Sequence, residues 1–184
     1  MILTETGFEG LTIIEPRVFE DERGYFMESY NQDKFHSLGL TNNWVQDNQS
    51  KSSRGVVRGL HYQLNPDAQS KLIRVIEGEI YDIALDLRRN AKTFGKWYGI
   101  SLSAENKKQF LVPAGFAHGF SVLSESATVL YKCDTLYSPT TERGIDPMDP
   151  DLAIDWKINN NEVILSEKDR ISPPFKKAEY NFND

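Results

Sequence analysis

Apolar and polar residues alternate with a period of two along much of the chain. The clearest stretch is Ile80 to Leu87, where Tyr81, Ile83, Leu85 and Leu87 share one face and Asp82 and Asp86 the other. That pattern predicts a half-buried antiparallel strand with the two aspartates toward water. It follows a strand over Lys71 to Ile76 and a turn at Glu77-Gly78-Glu79. Further strands are predicted at Gly10 to Pro16, Tyr25 to Tyr30, from Trp44 to Asn48, around His61, and at Trp97 to Leu102, Gln109 to Val112, Phe116 to Leu123 and Thr128 to Leu136. Short polar or Gly/Pro turns separate them, Val18 to Gly24 among them, and Ser50 to Ser53 reads as a polar loop. Asn31 can cap a short helix over Gln32 to Leu38 that Gly39 stops, which leaves His36 on an exposed face. From Ile145 onward the chain is rich in Asp, Asn and Pro and is expected to wrap the strands with a few turns of helix. Many short strands and little helix predict an all-β sandwich or barrel.

Composition narrows this. A chain of 184 residues suits a single domain spanning 1–184, and at that size roughly 70% of the unfolded surface can be buried. Apolar residues at 39% and charged ones at 26% fit a globular protein, not a disordered one. No apolar run reaches the roughly 20 residues that span a bilayer, and Met1 to Glu5 lacks the basic start of a signal peptide, so no membrane partner and a cytoplasmic location are expected. The one cysteine, Cys133, excludes an intrachain disulfide and is expected to be a buried, inert thiol. A net charge of -6 argues against nucleic acid as a partner. It leaves room for one anionic small molecule held by a local group of Arg and Lys.

The chain has three histidines, and one of them, His61, stands in the extended stretch Val56-Val57-Arg58-Gly59-Leu60-His61-Tyr62-Gln63. Leu60 and Tyr62 fall on the face opposite His61 in a regular strand. A histidine in such a place can be a hydrogen-bonded core residue or a proton carrier, since imidazole titrates near about pH 6.5. A regular strand would turn Arg58 away from His61. Either Gly59 makes a bulge, or Arg58 reaches a ligand from elsewhere, for example across a dimer.

Pro113-Ala114-Gly115-Phe116-Ala117-His118 has the P-x-G-x-x-H spacing of the second cupin motif, which delivers a histidine into a barrel mouth. Metal-binding cupins add an H-x-H pair and a carboxylate, whereas this chain offers His61-Tyr62-Gln63 there, so no metal is expected. The remaining groups suit proton transfer at carbon, which needs a base over one face, a cation on the developing enolate oxygen and an acid over the other face. His61 is the candidate base, Lys71 the enolate binder and Tyr131 the acid. Asp169 is the chosen partner for His61, although spacing does not select it. On composition alone Tyr131 is equally a packing residue and Lys71 a solvated one.

Asp21-Glu22-Arg23-Gly24-Tyr25-Phe26-Met27-Glu28, Gln46-Asp47-Asn48, Arg58 to Gln63, Lys71 to Val75, Gly115 to Phe120, Tyr131-Lys132-Cys133 and Ser166 to Asp169 resemble, in order, the signatures of the dTDP-4-dehydrorhamnose 3,5-epimerases. The resemblance runs from about residue 10 to residue 175. It implies a metal-free, cofactor-independent jelly-roll cupin that forms a homodimer by exchanging N-terminal strands and takes a dTDP-sugar in the dTDP-L-rhamnose pathway. By the same resemblance the proton acceptor is His61, its carboxylate Asp169 and the proton donor Tyr131, with Lys71 and His118 at the sugar oxygen. Substrate contacts fall on Arg23, Phe26, Glu28, Gln46, Asp47, Asn48, Arg58, Glu142 and Lys168, and the aromatic stacked on thymine on Tyr137. Arg23 and Arg58 would supply local positive charge for a diphosphate. Glu28 and Glu142 also read as plain surface charges, and Tyr137 as a turn residue before Pro139. The chain departs from the family pattern at Ile145 to Pro150, where an aromatic residue is expected near Pro147. Rivals are an epimerase of one centre only, a metal-dependent cupin oxygenase or isomerase, and a catalytically silent sugar-binding cupin.

Overall fold

A computed structural model describes residues 1–183 as two facing antiparallel sheets, a jelly roll. The strands are β1 (Ile2–Glu5), β2 (Thr12–Glu15), β3 (Val18–Asp21), β4 (Gly24–Met27), β5 (Gln46–Ser53), β6 (Val57–Gln63), β7 (Lys71–Glu77), β8 (Glu79–Asp86), β9 (Trp97–Ser103), β10 (Gln109–Val112), β11 (Phe116–Val122), β12 (Ser126–Cys133) and β13 (Glu142–Gly144). One sheet runs β1-β2-β10-β7-β12-β5 and the other β13-β6-β11-β8-β9, while β3 and β4 form a separate hairpin. The helices are short: α1 (Gln32–Ser37) and α2 (Glu167–Arg170), with 3-10 turns at Asn160–Glu162 and Phe175–Lys177.

Three apolar layers hold these pieces. Between the sheets lie Ile73, Val75, Ile80, Phe110, Phe120 and Val129, each at most 5% exposed, and full burial of one such side chain is worth about 1.5–3 kcal/mol. The outer face of the five-stranded sheet is covered by the tail, where Ile145, Leu152 and Trp156 pack on Leu60, Tyr62, Ile83 and Leu85. The outer face of the six-stranded sheet is covered by α1, through Phe35 on Ile14, Leu72 and Leu111. As the sequence suggests, Asn31 caps α1 by accepting from the Lys34 N–H, and Gly39 follows it at φ +84°.

The tail changes the meaning of the alternating strand β8. The tail covers the face of Tyr81, Ile83, Leu85 and Leu87, so the opposite face, with Ile80 and Ala84, turns into the space between the sheets. Asp82 and Asp86 are fully enclosed there and do not face water. Each has partners, as a buried carboxylate must: Asp86 accepts from Arg88 and Thr93, and Asp82 from His118. A second correction concerns Ser50 to Ser53, which belong to β5 and are not a loop, since the ladder with β12 runs from Gln46 opposite Cys133 to Ser53 opposite Ser126. β5 is an edge strand, and polar residues suit such a position. The strand expected at Thr128 to Leu136 is β12, displaced toward the N-terminus. The expected turn over Val18 to Gly24 is mostly strand β3, paired with β4, and β1 and β13 are likewise unanticipated. The loop at Ile145 to Pro150 is well tied: Ile145 exchanges backbone bonds with Leu60, and the Pro147 carbonyl accepts the Trp156 indole N–H at 2.8 Å.

Candidate active site

The two sheets part at one end around a cavity of about 270 Å³. Strand pairing explains which residues enter it. On the six-stranded sheet, Asn48, Tyr131 and Ile73 lie in one cross-strand row and Gln46, Cys133 and Lys71 in the next. Side chains alternate along a strand, so both rows point inward, and Gln46, Asn48, Lys71 and Tyr131 line the cavity. On the facing sheet, His61 pairs with His118 and Gly144, and Gln63 with Glu142.

The β6–β11 ladder carries one extra residue on β6, because Arg58 and His61 oppose Phe120 and His118. Val57 and Leu60, three apart, therefore both join the tail-covered layer, and Arg58 and His61 both turn the other way. Of the two readings the sequence left open for Arg58, this is the bulge. Its Nε donates to Ser52 on the opposite sheet at 2.9 Å. Gly59 has φ +115°, and a Cβ there would stand 2.6 Å from the Gly119 Cα. A Cβ on Gly119 would meet the Arg58 carbonyl at 2.6 Å, so the bulge needs both glycines.

His61 Nε2 lies 2.6 Å from Asp169 Oδ1. The partner arrives from 108 residues away because the tail bridges β6 at Val56–Ile164 and then starts α2, where Ser166 accepts the Asp169 N–H. Burial pushes the Asp169 carboxyl up, but the His61 hydrogen bond and charge, with Ser166 and the Gly59 N–H, outweigh it and hold it below its ordinary value. An ionised Asp169 takes the Nε2–H and leaves the second ring nitrogen with its lone pair free. Across the cavity, burial raises the Tyr131 phenol, which stays protonated at neutral pH. Burial lowers the Lys71 ammonium below 10.5 despite the pull of Cys133, Asp82 and Glu142, and its Nζ donates to the His61 carbonyl at 3.3 Å. His118 sits behind His61, its Nε2 at 2.8 and 3.0 Å from the two oxygens of Asp82. At the rim Glu142 accepts from Tyr137 at 2.8 Å and pairs with Lys168 at 2.5 Å.

Arg58, His118, Lys168 and Asp169 flank this cavity without lining it, and four other sequence-predicted site residues lie away from it. Arg23 and Phe26 project from the β3–β4 hairpin, Arg23 against Asp21 and Phe26 68% exposed. Glu28 pairs with Lys34 at 2.6 Å, and Asp47 points outward to Lys132 at 2.9 Å. Conversely, Gln63, Gln69 and Asp82 belong to the site or its support and were given no role from sequence. Gln63 was findable, standing two residues after His61 on the same face. Among the described residues no group of three or more His, Cys, Asp or Glu is placed to hold a metal ion.

An imidazole on one sheet with a carboxylate brought to it by the tail, and a phenol and an ammonium on the other sheet, at the mouth of a jelly roll, define a cupin-type acid–base site. A family model described as dTDP-4-dehydrorhamnose 3,5-epimerase matches residues 5–177. A dTDP-4-dehydrorhamnose 3,5-epimerase of Shigella flexneri is 50% identical, with 98% of this chain and 99% of that protein covered. The crystal structure of the enzyme of that name from Elizabethkingia anophelis superposes with a TM-score of 0.91 at 57% identity, covering 96% of this chain and 97% of that one. A dTDP-6-deoxy-D-glucose-3,5-epimerase of Legionella pneumophila, in complex with dTDP-4-keto-L-rhamnose, also gives 0.91, at 46% identity over 96% and 93% of the two chains. The chain belongs to the dTDP-4-dehydrorhamnose 3,5-epimerase family.

Proposed function

We propose that this chain epimerises dTDP-4-dehydro-6-deoxy-D-glucose at C3 and C5, giving dTDP-4-dehydro-L-rhamnose, without a cofactor. The observation that carries the reading is the pairing of His61 with Asp169 on the wall that faces Tyr131 across one cavity. The 4-keto group acidifies the hydrogens on both neighbouring carbons. His61 takes the proton from one of them, and the charge that moves onto the keto oxygen is met by Lys71 and His118. Tyr131 returns a proton to the opposite face of the carbon, which inverts it. Solvent then takes the proton from the His61 imidazolium and reprotonates Tyr131, and the cycle runs again at the second carbon.

In this reading Arg58 and Lys168 meet the diphosphate, Tyr137 stacks on thymine, and Gln46, Asn48 and Glu142 contact the sugar nucleotide. Arg23, Phe26, Glu28 and Asp47 join them in a homodimer that exchanges N-terminal strands. The support for that assembly is the β3–β4 hairpin, which leaves Phe19, Tyr25 and Phe26 at 50–68% exposure in the single chain. Sedimentation of the fully active protein as a monomer would remove this part. A cytoplasmic, reducing setting suits the single buried thiol of Cys133. No helix among the described residues is long and apolar enough to cross a membrane.

Proton NMR of the reaction in deuterium oxide tests the chemistry. Deuterium is expected at both C3 and C5, with both centres inverted, and Tyr131→Phe should still exchange the protons but lose inversion. Label confined to one carbon in the wild type would make the chain a single-centre epimerase, and no exchange at all a silent binder.

A further inference from the structure

Gln63 has no part in the chemistry described, yet its side chain is 3% exposed and its carboxamide is fully engaged. Oε1 accepts the Ser138 N–H at 2.8 Å, and Nε2 donates to the carbonyls of Asp67 at 2.6 Å and Leu136 at 3.3 Å. One amide on β6 thus ties together two loops at the cavity mouth, residues 64–70 and 134–141. Its two bonds to the second loop fall on either side of Tyr137. Tyr137 is 53% exposed and joins no apolar cluster, so packing does not fix it. Apart from its hydroxyl bond to Glu142, its place depends on the backbone of residues 136–138, held by Gln63 from one sheet and, through the Tyr137 N–H to Gln46 Oε1 at 2.9 Å, by Gln46 from the other. The same segment offers the Ser138 carbonyl to the Glu142 N–H at 3.0 Å, so Glu142 is aligned with it.

We propose that Gln63 is a positioning residue for the nucleotide end of the substrate. It holds the 136–138 segment in its binding form before the ligand arrives, so the entropic cost of ordering that segment is not met on binding. The inference rests on the reading of Tyr137 as the aromatic against the nucleobase. It assigns Gln63 no contact with the reacting carbons.

Gln63→Met keeps the volume and strands the three backbone partners. The loosened segment must then be ordered by the ligand, so the dTDP dissociation constant and the KM of the sugar nucleotide should rise about tenfold or more, with kcat close to wild type. Adding Gln63→Met to Tyr137→Ala should then weaken dTDP binding little further, because both changes remove the same interaction. A fall in kcat at unchanged KM, or fully additive losses in the double variant, overturns the proposal. Gln63→Glu serves if the methionine variant does not fold. Its carboxylate would face two carbonyl oxygens, while the neutral acid can donate to one, so its dTDP affinity relative to wild type should recover as pH falls. A ratio constant with pH counts against the proposal. If Tyr137→Ala itself leaves dTDP binding untouched, the assignment of Tyr137 fails and the inference with it. If Tyr137→Ala weakens binding and Gln63→Met does not, the inference alone fails.

Discussion

Two histidines on adjacent strands of one sheet each pair with an aspartate, and the two pairs are built in opposite ways. His61 draws its carboxylate from the far end of the chain and keeps 31% of its side chain exposed, above an Asp169 at 3%. His118 draws its own from the neighbouring strand β8, and the two side chains are 9% and 0% exposed. Burial drives Asp82 above its ordinary value, and the charge and hydrogen bond of His118 and the charge of Lys71 only temper that. Asp169, under a smaller burial penalty and with more donors, moves below its own. In the proposed reaction His61 cycles protons with solvent, which needs an open face and a partner that stays ionised. A group that only answers charge on a substrate needs neither, and enclosure keeps it in place.

The largest test of this contrast is His61→Ala, which should cut kcat by at least about 10²-fold to 10⁴-fold, the usual share of a general base, and leave dTDP binding mostly intact. His118→Ala should cost clearly less in kcat, and equal losses by steady-state kinetics would erase the distinction. Next come the two carboxylates. Asp169→Asn removes a charge-assisted hydrogen bond worth about 1.5–3 kcal/mol to the working imidazolium, a loss of roughly 10-fold to 100-fold in kcat. Asp82→Asn should instead show mainly as a stability loss of about 1–3 kcal/mol in urea unfolding. A reversed order of effects would mean that the enclosed pair is the base.

The smallest effect is on acid stability, and there the two pairs should differ in sign. Asp169 titrates below 3.8 in the folded chain, so its contribution is complete above that ordinary value and is lost as pH falls through the folded one. Asp82 titrates above 3.8, so its contribution is complete below the ordinary value and is lost as pH rises through the folded one. Relative to wild type, Asp169→Asn should therefore lose less stability on acidification, and Asp82→Asn less as pH rises from the acid side. Urea midpoints measured from acid to neutral pH would show it, and shifts of the same sign would contradict the assignment.

Asp82 also marks a boundary of what the sequence can carry. Period-two alternation correctly separates Asp82 and Asp86 from Tyr81, Ile83 and Leu85, but periodicity says only which residues share a face, not which face meets water. The tail that covers the second face comes some 60 residues later. β5 was cut short for a related reason, since Ser50 to Ser53 are polar yet pair fully along an edge. β1 and β13, four and three residues long, give too little pattern to register. Within the site, the inward positions of His61, Lys71 and Tyr131 follow from strand parity once the bulge is known. The pairing of His61 with Asp169 is a contact across 108 residues that no local pattern encodes, and only the family resemblance proposed it. The same resemblance named Arg23, Phe26, Glu28 and Asp47, which a single chain leaves outside its own cavity.

The surplus residue at Gly59 acts as a phase change in β6. Upstream of it the even-numbered Arg58 turns toward the opposite sheet, and downstream the odd-numbered His61 and Gln63 do. Deleting one residue there would restore an unbroken rhythm and could present either the guanidinium or the imidazole inward, never both. A single irregular step thus gives one short ribbon of chain two successive inward-facing cationic or basic groups, with the greasy positions between them still locked beneath the tail.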